Sequence, residues 1–158
     1  MAGTVLVSGG SGYIAGFLIR QLVAEGWMVH STIRDLARER AVRKLLAADD
    51  SRLRFFAADL TKDAGWAEAM AGCSHVAHVA SPVPLRAVRD ANEVIVPARD
   101  GALRALRAAK AAGVKRFVSL CQFITTEVGA SSSTGPGSLP PISFSYCNNA
   151  SAWMVLPR

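Results

Sequence analysis

Along the chain the spacing of apolar residues switches repeatedly between two periods. Residues 4–8 form a short β-branched, apolar run that ends in glycines, the mark of a buried strand entering a tight turn. From Tyr13 onward Ile14, Phe17, Leu18 and Leu22 recur at helical spacing until Gly26 supplies a stop. The alternation then repeats. Strands are predicted over 27–33, Leu53–Ala57, 75–79 and 116–120. Helices are predicted over 36–48, over 64–70 behind Asp63 as N-cap, and over about 92–112, with Leu103 and Leu106 facing inward and Gly113 as terminator. Consecutive βα units require parallel strands joined by right-handed crossovers, so the fold class is α/β with a doubly wound parallel sheet.

Beyond the fifth strand the pattern stops. Residues 129–145 hold Ser131, Ser132, Ser133, Gly135, Pro136, Gly137, Pro140 and Pro141, a composition that sustains neither helix nor strand. The expected organisation is one folded domain over 1–128 and a largely irregular Ser/Gly/Pro-rich tail over 129–158.

Composition narrows the class. With 158 residues, 51% hydrophobic and 19% charged, the chain can bury one core and is not intrinsically disordered. No apolar run approaches the ~18 residues of a spanning helix, and the N-terminus lacks the charged and apolar regions of a signal peptide, so a cytoplasmic protein without membrane contact is expected. Cys73, Cys121 and Cys147 are odd in number and show no metal-ligand spacing, which fits reduced thiols and no metal site. The net charge is +6, and basic residues crowd the stretch from Arg34 to Arg54, but Asp35, Glu39, Asp49 and Asp50 interrupt them and Leu36, Val42, Leu45 and Leu46 give the stretch helical periodicity. That is a solvated amphipathic helix and not a nucleic-acid surface.

The chemically specific feature is Gly9-Gly10-Ser11-Gly12-Tyr13-Ile14-Ala15-Gly16, set between the first strand and the first helix. Gly9 permits the tight turn, Gly12 allows a pyrophosphate to approach the backbone, and Ala15 keeps helix close to strand. The helix N-terminus behind it offers unpaired N–H groups to phosphate. In that context the turn reads as the start of a Rossmann-like dinucleotide-binding domain, with Ser11, Tyr13 and Ile14 at the cofactor. Arg34 closes the second strand, where NAD-specific domains usually carry an acidic residue. A guanidinium there favours a 2′-phosphate, hence NADP over NAD, with Arg38 one turn further on and Asp35 as the acidic alternative.

This turn has GxxGxxA spacing and resembles the opening of the extended short-chain dehydrogenase/reductase family, in particular its dihydroflavonol reductase-like, NAD-dependent epimerase/dehydratase branch. Further segments resemble the same branch in the same order: Ser31-Thr32-Ile33-Arg34, Ala58-Asp59-Leu60, His78-Val79-Ala80-Ser81-Pro82, Asn92-Glu93-Val94-Ile95-Val96-Pro97 and Gly113-Val114-Lys115-Arg116-Phe117-Val118. The resemblance implies that Asp59 and Leu60 meet the adenine and that Ala80, Ser81 and Pro82 line the nicotinamide side. His75 and His78 lie in or beside a buried strand and read as packing residues.

Such reductases protonate a carbonyl oxygen with a tyrosine, assisted by a lysine four residues later and a serine or threonine. Here the resemblance places Gln122 where the hydroxyl belongs, with Thr125 nearby, and Tyr146 is followed four residues on by Ala150. Tyr146 and Thr125 are thus the candidate catalytic residues of an incomplete set. The resemblance ends near Val118 and leaves no substrate-binding half, which suggests a natural truncation, a frame-shifted product or an isolated cofactor half. The expected activity of the intact relatives is hydride transfer from NADPH to a small ketone or aldehyde. The alternative is a catalytically inactive NADP-binding or redox-sensing module. Uncovered apolar faces make self-association possible.

Overall fold

The computed structural model describes residues 3–47, 51–82, 90 and 92–120. Five strands, β1 (Thr4–Val7), β2 (Met28–Ile33), β3 (Leu53–Ala57), β4 (His75–His78) and β5 (Arg116–Ser119), form one parallel sheet in the order β3-β2-β1-β4-β5. Between them run α1 (Tyr13–Ala24), a 3-10 turn (Leu36–Arg38), α2 (Glu39–Leu46), α3 (Trp66–Met70) and α4 (Asn92–Ala111). The expected doubly wound topology is present. Its order reverses beside β1, because β2 pairs with one edge of β1 and β4 with the other. At that reversal the crossovers leave to opposite faces and open a crevice at the carboxyl ends of the strands.

The two faces of the sheet bury separate cores. Val5, Val7, Ile19, Val29, Val42, Leu46 and Leu53 pack beneath α1 and α2, while Leu6, Trp66, Met70, Val76, Ala105 and Phe117 pack beneath α3 and α4. The alternation of Val5, Leu6 and Val7 between the two cores is the strand period of two made visible.

Inside the helices the inward faces differ in part from those expected. In α1 Ala15, Gly16, Ile19 and Val23 are buried and the expected Leu18 and Leu22 pack against the same core, whereas Ile14 and Phe17 are 50% and 59% exposed. Small residues face the sheet because the helix lies close to it: a Cβ on Gly16 would sit 3.0 Å from the Leu46 side chain. In α4 Gly101, Ala105 and Ala109 face inward, Leu106 is half-buried and Leu103 is exposed. The predicted 36–48 helix is a 3-10 turn followed by α2, ended at Ala47 in the left-handed region, and only Val42 and Leu46 of its apolar set are buried. Nor does Asp63 cap α3. Gly65 occupies the cap with φ +85, and a Cβ there would lie 1.8 Å from the Ala57 carbonyl oxygen.

Candidate functional site

A cleft of about 650 Å³ lies over the carboxyl ends of β1, β2, β3 and β4. Gly9, Ser11, Gly12, Tyr13, Ile14, Arg34, Asp59, Leu60, Ala80, Ser81 and Pro82 all line it. Arg38, on the exposed 3-10 turn beyond β2, is not among the lining residues. Thr125 and Tyr146, together with Gln122, Ala150, Cys121, Cys147 and the 129–158 tail, lie outside the described residues.

The glycine turn is shaped by close contacts. Gly9 has φ +75, and a Cβ there would meet Ala80 Cβ at 3.0 Å and Ala80 Cα at 3.2 Å. The Gly12 N–H donates to the Gly9 carbonyl at 2.8 Å, and a Cβ on Gly12 would lie 3.2 Å from that oxygen. Strand β2 anchors the turn: the Gly10 N–H donates to the Thr32 carbonyl at 2.8 Å and the Gly9 N–H to Thr32 Oγ1 at 3.1 Å. Gly12 caps α1 without a side-chain bond, and the first turn of α1 carries no acidic residue. The first-turn N–H groups, which have no acceptor within a helix, therefore face the cleft with no carboxylate of their own turn to occupy them. This cradle fits a pyrophosphate.

At the carboxyl end of β3, Asp59 Oδ1 accepts from the Thr61 N–H and from Thr61 Oγ1, both at 2.8 Å. Those two bonds, helped by the charges of Arg34 and Lys62, hold the Asp59 carboxyl below its usual value. The β3–α3 loop is fastened from behind. Trp66 Nε1 donates to the Asp59 and Lys62 carbonyls at 3.0 and 3.1 Å, and the Arg104 guanidinium, reaching across from α4, bonds the Leu60 carbonyl and the Asp63 carboxylate. Gly101 lets α4 come this near, since a Cβ there would lie 3.0 Å from Leu60 Cβ.

Two charged side chains follow β2 and are placed differently. Arg34 is exposed and lines the cleft. Asp35 Oδ1 instead accepts the Ala37 N–H at 2.9 Å, which makes it the N-cap of the 3-10 turn.

Thr32, Glu93 and Pro97 line the cleft from segments that carried the resemblance without an assigned role, whereas Thr61, Trp66 and the supporting Arg104 have no obvious signal in the sequence and reach it through the fold. The histidines are packed as expected: His75 meets the Trp27 ring edge-on at 5.3 Å, and His78 is 3% exposed, stacked at 5.8 Å on Phe117. Cys73 is buried and free, with its thiol pushed up to about 11 by burial. Among the described residues no cluster could hold a metal ion, and no helix is long and apolar enough to cross a membrane.

A parallel sheet reversing at β1, with a glycine turn leading into a helix N-terminus at that reversal, defines a Rossmann-like fold. The sequence model of the NAD dependent epimerase/dehydratase family matches residues 5–140. The chain belongs to that family, as the residues of the glycine turn implied. It is 40% identical over 119 residues to a dihydroflavonol 4-reductase of Hordeum vulgare, an alignment covering 73% of this chain and 34% of the relative. A dihydroflavonol 4-reductase of Solanum lycopersicum is 34% identical over 156 residues, covering 96% of this chain and 41% of the relative. Among solved structures, vestitone reductase from alfalfa (Medicago sativa) matches with a TM-score of 0.58 and 33% identity, over 74% of this chain and 35% of that one. Gre2 of Candida albicans in complex with NADPH matches with a TM-score of 0.62 and 27% identity, over 71% of this chain and 34% of that one. The chain thus spans roughly a third to two-fifths of the length of these relatives. They are reductases, and the family takes a nicotinamide cofactor.

Proposed function

We propose that this chain is the NADP-binding half of an extended short-chain reductase that, when intact, reduces a ketone or aldehyde with NADPH. The observation that carries the choice of cofactor is the division of labour after β2: Arg34 is exposed in the cleft while the Asp35 carboxylate is engaged by the Ala37 N–H. In this reading the Gly9–Gly12 turn and the start of α1 hold the pyrophosphate, Arg34 pairs with the 2′-phosphate, with Arg38 adding positive charge nearby, and Asp59 and Leu60 take the adenine. Ala80, Ser81 and Pro82 line the nicotinamide side. NADPH supplies the hydride when bound. The names of the relatives, dihydroflavonol 4-reductase among them, support an aromatic carbonyl compound as the substrate class.

Catalysis by the 158-residue chain itself is expected to be negligible, because Gln122 and Ala150 stand where the family places the hydroxyl and the lysine. Binding without turnover is therefore the expected behaviour. As for redox sensing, the buried Cys73 thiol argues against that residue as the sensor. Calorimetric titration with NADP and NAD tests the assignment. Arg34→Ala should weaken NADP by roughly 10- to 150-fold and leave NAD nearly unchanged, as expected for loss of one charge-assisted bond. Gly12→Val should abolish both. Equal losses of NADP and NAD in Arg34→Ala would withdraw the NADP assignment.

A further inference from the structure

Where the β1–β4 ladder ends, a side chain takes over from the backbone. The last paired residues are Val7 and Ala77, and the Ser8 N–H donates to the Ala77 carbonyl at 3.0 Å. Past that point Ser8 Oγ accepts two backbone N–H groups, those of Val79 and Ala80, each at 3.0 Å. A hydroxyl has one proton to give and two lone pairs to receive with. Both lone pairs being engaged, the Ser8 proton goes to the remaining neighbour, His78 Nδ1, at 3.0 Å. The imidazole must then be neutral, bare at Nδ1 and protonated at Nε2.

We propose that His78 is a positioning residue for the cofactor cleft: by taking the Ser8 proton it leaves both hydroxyl lone pairs to hold Val79 and Ala80, and so fixes the wall facing the nicotinamide half of the dinucleotide. This rests on the cofactor reading above. The wall has little room to shift without altering the cleft, because Ala80 already touches the space a Cβ on Gly9 would fill. Packing alone does not call for histidine. Its ring lies between Trp66, at 6.4 Å, and Phe117, and a phenyl ring would fill the same slot. What a phenyl lacks is the acceptor nitrogen. Burial keeps the imidazole neutral, with its pKa lowered to about 4, so the acceptor persists at physiological pH.

The test uses the full chain and two probes, NADPH and 2′,5′-ADP, the second of which carries the adenosine and 2′-phosphate but no nicotinamide. In His78→Phe, NADPH should bind about tenfold more weakly while 2′,5′-ADP binds as to the parent chain. His78→Asn, whose side-chain oxygen stands near the place of Nδ1, should restore NADPH to within about twofold. An equal loss of both probes in His78→Phe, no loss of either, or no rescue by asparagine would overturn the proposal. If the parent chain binds neither probe, the cofactor reading fails and takes the proposal with it; if it binds both and His78→Phe leaves NADPH unchanged, only the proposal fails. Should His78→Phe not fold, nitrogen-15 NMR of the parent chain decides. A bare Nδ1 and a protonated Nε2 on His78 support the relay, and the opposite tautomer overturns it.

Discussion

Acid should unfold this domain through His78 well before most carboxylates are protonated. The imidazole is 3% exposed, and burial moves its pKa from 6.5 down to about 4. Among the described residues its hydrogen-bond and ring partners, Ser8, Trp66 and Phe117, are not ionisable, and burial is the cause of the shift. In the unfolded chain the same group titrates near 6.5, so between those two values the unfolded state binds a proton that the folded state refuses. Stability therefore rises with pH in this window, is fully present above about 6.5, and is lost as pH falls toward 4. Integrating the linkage, the loss is about 2 kcal/mol at pH 5 and about 3 kcal/mol at pH 4. Against a typical ~5 to 15 kcal/mol for a domain this is a large fraction. Urea unfolding followed by tryptophan fluorescence at pH 7.5 and pH 5 should show the midpoint falling by about 0.7 to 2 M, given slopes of ~1 to 3 kcal/mol per M. His78→Asn removes this titration while leaving the carboxylates and the other histidines in place, so its midpoint should fall less over the same interval. Parallel losses in the parent chain and in His78→Asn would refute the reasoning.

Three further outcomes are expected. Gly10→Ala would place a Cβ 2.2 Å from Ser31 Oγ and 3.1 Å from the Phe55 ring, so it should cost about 1 to 3 kcal/mol in urea unfolding and weaken NADPH binding as the turn lifts off β2; unchanged stability would show that the turn yields freely. Alkylation followed by peptide mapping should find Cys73 unmodified in the native chain at pH 8, because burial holds its thiol near 11, and labelled only on unfolding. Ile14 and Phe17 are exposed beside an apolar hollow of about 600 Å³ between α1 and the ends of β4 and β5, so the chain should self-associate at micromolar concentration and Phe17→Asp should reduce it, as read by analytical ultracentrifugation. A parent chain that stays monomeric throughout would remove that expectation.

The order of elements, the glycine turn and the family were legible in the sequence, because each is a local pattern. A strand declares itself through β-branched apolar runs such as Val5-Leu6-Val7, and a turn through glycines such as Gly9 and Gly26 whose positive φ other residues rarely adopt. Segments near β2, β3 and β4 carried Arg34, Asp59 and Ala80, and parallel strands bring their carboxyl ends to one edge, so these residues meet in one cleft although far apart in the chain. Which helix face turns inward was not legible. In α1 and α4 both faces carry apolar residues, and only the close approach to the sheet selects Gly16, Gly101 and Ala105 over Phe17 and Leu103. Asp63 looked like a cap because its neighbourhood in sequence resembles one, yet Arg104, forty-one positions away, takes its carboxylate. The Ser8–His78 bond spans seventy positions, and the roles of its two members follow from counting lone pairs on a hydroxyl that the fold alone surrounds. Local physics writes the elements and the turn into the chain. The choice among competing partners depends on distances that exist only after the sheet has formed.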